Sequence, residues 1–215
     1  MRDLLYKEIR LAVHPSMLIF LLFGSLLLIP SWPFFIAFGY LFIGFTNTFF
    51  IGRGNQDVFF TAALPVRKKD VVRARVLIMA AFQILQILAA VPFAFLHQYI
   101  NPYGNQAGMN PNLAFFGCVF LMYALFNAVF FPLFYKTAYK VGVPMVLAVL
   151  AVLLFDAAVE VAVHVIPWMN THVNAMGGAH AAVQLPVLAG GIAVFLLVTW
   201  LACRKAAAHF DQVDL

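Results

Sequence analysis

The sequence predicts an all-α, polytopic integral membrane protein with six transmembrane helices and an N-terminal interfacial helix. Three observations predict it. The 215 residues are 65% hydrophobic with a mean hydropathy of +0.96, more apolar surface than a soluble domain of this length can bury. The 13 basic residues fall in four clusters: Arg2, Lys7 and Arg10; Arg53, Arg67, Lys68, Lys69, Arg73 and Arg75; Lys136 and Lys140; Arg204 and Lys205. The stretches between them, residues 11–52, 76–135 and 141–203, hold no Lys or Arg. A spanning helix needs about 20 apolar residues, so each stretch suits two crossings joined on the far side. Positive charge stays in the cytoplasm, which gives a multi-pass protein with both termini cytoplasmic.

Composition narrows the class further. Residues 1–215 form a single transmembrane domain, with no segment outside the bilayer large enough to fold alone. Six of the eight acidic residues accompany the basic clusters; Asp156 and Glu160 do not. A basic rim of this kind meets anionic lipid headgroups, and no basic surface is continuous enough for nucleic acid. Cys118 and Cys203 lie in apolar segments, so no disulfide framework is implied. The apolar run Met17–Ile29 follows basic residues as a signal peptide would. Ile-Pro-Ser-Trp-Pro comes next instead of a small-x-small cleavage site, so the segment is expected to be retained.

The elements follow in order. Residues 1–15 read as an interfacial helix. Asp3, Lys7, Arg10 and His14 make a polar stripe, Leu5, Ile9, Ala12 and Val13 an apolar one, and Pro15 ends it. Span 1 covers about 16–30 and span 2 about 33–52, joined by the tight turn Pro30-Ser31-Trp32-Pro33. Both are short, which implies little tilt or a thinned bilayer. Span 3 covers about 74–97, and an uncharged loop rich in Asn, Gly and Pro (Gln98–Asn112) leads to span 4 at about 113–134. Span 5 begins near Val141 after the basic turn Tyr135–Lys140. Span 6 covers about 184–203, with Pro186 in its first turn. Span 5 has two readings: one helix over 141–166, or a helix ending near Phe155 with 156–183 as an outer or re-entrant segment. A carboxylate at the bilayer centre costs only roughly 2.5–3.5 kcal/mol, so Asp156 does not decide between them.

The largest cytoplasmic element is the loop 53–75. Asn55 or Asp57 is placed to cap a short helix through Ala63. Leu64-Pro65 ends that helix, because the residue before proline avoids helical geometry, and a second helix, 66–75, enters span 3. Phe59 and Phe60 stand on the short helix. Such exposed aromatics suit either a loop skimming the lipid interface or insertion into a partner protein.

The interfacial helix, two spans and then Asp57 followed by Leu64-Pro65-Val66-Arg67-Lys68-Lys69-Asp70-Val71-Val72-Arg73-Ala74-Arg75 resemble the permease subunits of ABC-2 type transporters, whose six-span layout (that of type V exporters) covers essentially the whole chain. The resemblance implies that this loop is the coupling element docking on a separate ABC ATP-binding subunit, through Asp57, Val58, Phe59, Phe60, Leu64, Pro65 and Arg67. It makes the N-terminal helix the family's elbow helix and the location a bacterial cytoplasmic membrane. Similar small permeases export amphipathic peptides such as phenol-soluble modulins or confer antimicrobial-peptide resistance. The chain has no Gly-x-x-x-x-Gly-Lys-Ser/Thr phosphate loop and no nucleophile–base pair, so it is not expected to be an enzyme and holds no cofactor. ATP and Mg belong to the partner ATPase. A second permease subunit, identical or related, is also expected, since one six-span bundle is small for a conduit.

A substrate path is the remaining question. Asp156, Glu160 and His164 are spaced by four and share one helical face. They suit cationic groups of the cargo, a proton or metal site, or the wet face of an amphipathic outer helix. The absence of His-Glu-x-x-His argues against a zinc protease, and the other histidines near the outer loops (His97, His172, His180) define no metal site. Phe38, Phe42, Phe45 and Phe49 make a stripe on span 2 that lines a hydrophobic conduit or packs. Asn127, Gln83 and Gln86 face protein rather than lipid. Two other functions stay open: a secondary transporter with Asp156, Glu160 and His164 as proton relay, and a non-transporting peptide-immunity protein.

Overall fold

The computed structural model describes residues 2–178 and 180–213. The elbow helix α1 (Arg2–Lys7) widens into a π-helical turn, Glu8–Ala12. It meets the following apolar pair, α2 (Ser16–Leu21) and the 3₁₀ stretch Leu22–Leu28, at 91°. Pro15 sits at the corner, where its ring and missing N–H stop the first helix. The His14 N–H donates to Thr48 Oγ1 at 3.1 Å and pins the corner to the second span.

The second span breaks at Gly39–Tyr40 into α3 (Phe34–Gly39) and α4 (Leu41–Gly54). The loop helix α5 (Asp57–Ala62) follows, then α6 (Lys68–Ile100), α7 (Leu113–Tyr135), α8 (Gly142–Val165) and α9 (Ala181–Asp211). Five helices are long and apolar enough to cross a membrane, and the sixth crossing depends on the bent N-terminal pair. Prolines on both sides limit that pair to 13 residues in its second half. Its 3₁₀ part rises about 2.0 Å per residue against 1.5 Å for the α part, so it reaches about 23 Å, short of a hydrocarbon core of about 30 Å.

Several predicted boundaries shift. No helix breaker lies between Lys68 and Ala74, so the predicted loop helix 66–75 and span 3 are one continuous rod of 33 residues, about 50 Å long. Span 5 runs unbroken through Asp156 to Val165. Of its two readings, the single helix is the one observed, and it is followed by a short helical stretch that becomes a π-helical turn, Met169–Val173. α9 starts three residues earlier than predicted, which places Pro186 in its second turn.

The basic clusters gather at one end of the bundle. There Lys68 Nζ donates to the Val213 carbonyl at 2.7 Å and lies 5.7 Å from the Phe210 ring centre. α7 is the central post and packs most extensively on α9. Their backbones touch at Gly117 and Gly191: a Cβ on Gly117 would lie 2.5 Å from the Val187 carbonyl oxygen.

Polar side chains inside the bundle repair broken backbone. Gln86 Nε2 donates to Phe20 O at 3.0 Å and Ala37 O at 3.1 Å, carbonyls beside the α-to-3₁₀ switch and the Gly39–Tyr40 break. Away from water, freed carbonyls need such partners. His97 Nδ1 does the same for Leu27 O at 2.6 Å. It is buried near the end of α6, beside the outer loop that follows.

Candidate coupling site

The α5 loop and the elbow helix meet over the root of α6. Arg75, at the start of the predicted third span, is buried. A guanidinium there requires countercharge, and two carboxylates supply it. Arg75 Nε and Nη2 donate to both oxygens of Glu8, and Nη2 also donates to Asp57. Lys7 Nζ lies 2.5 Å from Asp57 Oδ1 and 3.2 Å from Glu8 Oε1, and it donates to Thr61 Oγ1 at 2.8 Å. Two cations and two anions thus balance in a site closed by Phe49, whose ring centre lies 5.5 Å from the guanidinium carbon. Burial pushes the Asp57 carboxyl up, but Arg75 and Lys7 outweigh it and hold the group below its usual value of 3.8.

This cluster changes the face assigned to the elbow helix. The predicted apolar face contained Ile9, which is exposed. The buried positions are Leu4 and Glu8, four residues apart on one face, because Glu8 must reach Arg75. It also changes the role of Asp57. That residue does not cap α5; Gln56 precedes the helix in left-handed geometry (φ 51°) with no side-chain cap, because the Asp57 carboxylate is committed to the ion cluster.

The predicted coupling residues therefore divide between two sides of the loop. Asp57, Thr61 and half-buried Val58 face the bundle. Phe59 (45% exposed), Phe60 (68%), Leu64 and Pro65 face away from it. Arg67 is exposed and paired with Asp70 at 2.8 Å. The outward set joins Leu11 of the elbow helix, which lines a small groove with Ile51, Asp57 and Phe60.

The predicted path residues separate as well. Phe38, Phe42, Phe45 and Phe49 are buried and packed ring against ring on α7. Phe42 stacks on Phe126 at 4.1 Å and Phe49 meets Phe130 at 4.8 Å. In this structure they pack closely, and Phe42 also borders a cleft toward α8. Asn127 forms a reciprocal amide pair with Gln83 at 2.9 Å and donates to Thr199 at 3.0 Å, so it ties α6, α7 and α9 together.

Asp156, Glu160 and His164 share a face of α8 but not a site. Glu160 accepts the Met109 N–H at 3.0 Å, and a Cβ on Gly108 would lie 2.6 Å from its Oε1. The His164 ring lies 2.7 Å from the Glu160 carbonyl oxygen and 4.0 Å from its carboxylate. Asp156 points instead into a cleft of about 280 Å³ between the second span and α8, lined by Tyr40, Phe42, Thr46, Val149 and Leu153. Its Oδ1 is buried without a hydrogen bond. Among the described residues no three His, Cys, Asp or Glu side chains converge as a metal site.

Sequence reasoning missed Glu8, Lys7, Arg75 and Thr61 as a unit. The available signal was Arg75 itself: it is the last basic residue before 60 residues without one, deep enough to demand a partner. No curated protein and no solved structure matches the chain. The family profile described as ABC-2 family transporter protein matches residues 3–205, a range that takes in the elbow helix, the α5 loop and all five long apolar segments, so the chain belongs to the ABC-2 transporter family.

Proposed function

We propose that this permease is the membrane subunit of an ATP-driven exporter, working with a separate ATP-binding subunit and a second permease chain in a bacterial cytoplasmic membrane. The ion cluster of Glu8, Arg75, Asp57 and Lys7 is the observation that carries the proposal. It joins a loop helix with outward-facing Phe59 and Phe60 to the base of a rod about 50 Å long. A push on α5 then moves α6 and the elbow helix as one body instead of flexing the loop, and rigid-body movement of spans is one way to alternate access.

The cargo is amphipathic or hydrophobic: a peptide, lipid or drug. The spans offer little to solvate a strongly charged small ion, and the cleft beside Asp156 is apolar apart from that carboxylate, Thr46 and Tyr40. A cationic group on an otherwise apolar cargo fits the unpartnered Asp156 oxygen.

The test is reconstitution with the ATP-binding subunit and measurement of both hydrolysis and transport. Phe59→Ala with Phe60→Ala removes only exposed side chains, so stability changes by no more than about 0.5 kcal/mol. Transport is lost while the partner's basal hydrolysis continues. Normal transport by the double variant overturns the assignment of the loop.

A further inference from the structure

α6 and α9 converge at the basic end and part toward the other. The Lys68–Val213 bond holds their bases together, and Asn127 bridges Gln83 on α6 and Thr199 on α9 midway along. Beyond that bridge a crevice of about 460 Å³ opens between the two helices, with α7 as its floor. Its length is lined by Ile87, Val91, Leu188, Ile192, Phe116 and Phe120, and its outer end by Gln98, the Gly177–Gly178 backbone and the buried Asn112 and Gln184, whose amides are bonded to loop carbonyls.

We propose that this crevice holds one acyl chain of a bilayer lipid, with the headgroup at the end marked by Gln98. The proposal needs only that the bundle lies in a membrane, so it stands apart from the coupling assignment. Length is the first argument. Ile87 to Gln98 is eleven residues, about 16 Å along a helix, and one leaflet of a hydrocarbon core is about 15 Å deep. The slot thus runs from the hydrogen-bonded bridge near mid-bilayer to the headgroup level.

Width is the second argument and selects the occupant. A helix 10 Å across and 16 Å long needs about 1,260 Å³, more than all the empty space of the crevice with its open side, about 1120 Å³. A single hydrocarbon chain is thinner than a helix and lies within it. Polarity is the third. Leu88, Phe95 and Leu185 on the rims are exposed, as lipid-facing side chains are. The Gln98 amide makes no hydrogen bond among the described residues and lies at the mouth. No Lys or Arg occurs in 76–135 or 141–203, so the mouth reads the headgroup by neutral hydrogen bonds and does not select its charge.

The experiment places the purified permease in phosphatidylcholine nanodiscs containing a trace of phosphatidylcholine with a photoreactive group at the end of one chain. Labelled peptides are then mapped by mass spectrometry. Labelling is expected to concentrate around Ile87 and Leu188, several-fold above the exposed Leu147, Leu150 and Leu154 of α8, which sample bulk lipid. Val91→Trp fills the slot and brings crevice labelling down to the α8 level with α8 labelling unchanged; Ile192→Trp does the same from the facing helix should the first variant fold poorly. A phosphatidylglycerol probe gives the same pattern. Even labelling of α6, α8 and α9, or crevice labelling that survives both tryptophans, overturns the proposal. So does a cross-link between Leu88→Cys on one copy and Leu188→Cys on another, which would mean that a second chain fills the crevice.

Discussion

The two ends of the bundle fasten their loops by different chemistry. At the basic end the α5 loop and elbow helix are held by a buried, charge-balanced cluster of four ionised side chains. At the opposite end the 101–112 loop is held by one carboxylate on backbone N–H and by asparagines. Glu160 takes Met109 N–H, Asn110 donates two bonds of 2.7 Å to Asn174, and Asn112 donates to Val173 O and Ala175 O. Ion clusters of this type are stiff because each member lost leaves a buried charge exposed to an apolar medium. Neutral amide networks fail one bond at a time, at about 1 kcal/mol each. The basic end is closed by charge, and the other end is a cap that ties the 101–112 loop to α8 and to the loop before α9.

The comparison breaks most severely at Arg75. Arg75→Met leaves Glu8 buried beside an apolar side chain, and removing one partner of a buried pair costs about 3–5 kcal/mol. The expected result is a large fall in thermal stability in detergent and loss of elbow-helix protection in hydrogen exchange. Glu8→Gln added to Arg75→Met removes the orphan charge, so most of the stability returns while transport does not. Recovery of transport in the double variant would mean that the cluster serves folding and not transmission.

At the cap, Glu160→Gln keeps the shape and a neutral acceptor but loses the charge on the Met109 N–H bond. Hydrogen bonds to charged groups are worth about 1.5–3 kcal/mol, so the loss is expected to be smaller and local. Faster hydrogen exchange at Met109–Asn112, with the α5 loop unaffected, is the signature. Exchange that quickens equally at both ends would show that the two joints are one cooperative unit.

Much of this arrangement was legible in the chain. Gaps between basic residues placed α7 to within a residue, because a helix that must satisfy its own backbone in lipid has few ways to end early. The Leu64-Pro65 pair placed the end of the loop helix to within a residue, since α5 stops at Ala62. Depth within the bundle was not legible. The most apolar windows of α7 and α8 have mean hydropathies of 2.1 and 2.5, yet 61% of the first is buried and only 17% of the second. Lipid and protein are equally apolar neighbours for a leucine, so hydropathy carries no information about which one a helix meets. Small residues carry more: Gly117 and Gly191 mark where α7 and α9 touch. The ion cluster was hidden for another reason. Its members come from residues 7–8, 57 and 75, and only folding brings them together.

The smallest expected effect concerns pH and separates the joints by charge. The folded-state value of Asp57 lies below 3.8 because Arg75 and Lys7 outweigh its burial. A carboxyl lowered in this way contributes stability above its unfolded value and loses it as pH falls through the folded one. Hydrogen-exchange protection of α5, corrected for intrinsic exchange, is therefore expected to stay level from neutral pH down to about pH 4 and to fall below it. Asp57→Asn removes the titrating group, so its protection starts lower and is flatter over the acid range, with the two proteins converging once the pH has fallen below the folded-state value. An α5 loop that loosens between pH 7 and pH 5 in the unmodified protein, or an asparagine variant with an unchanged acid limb, would show that Asp57 is not the group holding the loop to Arg75.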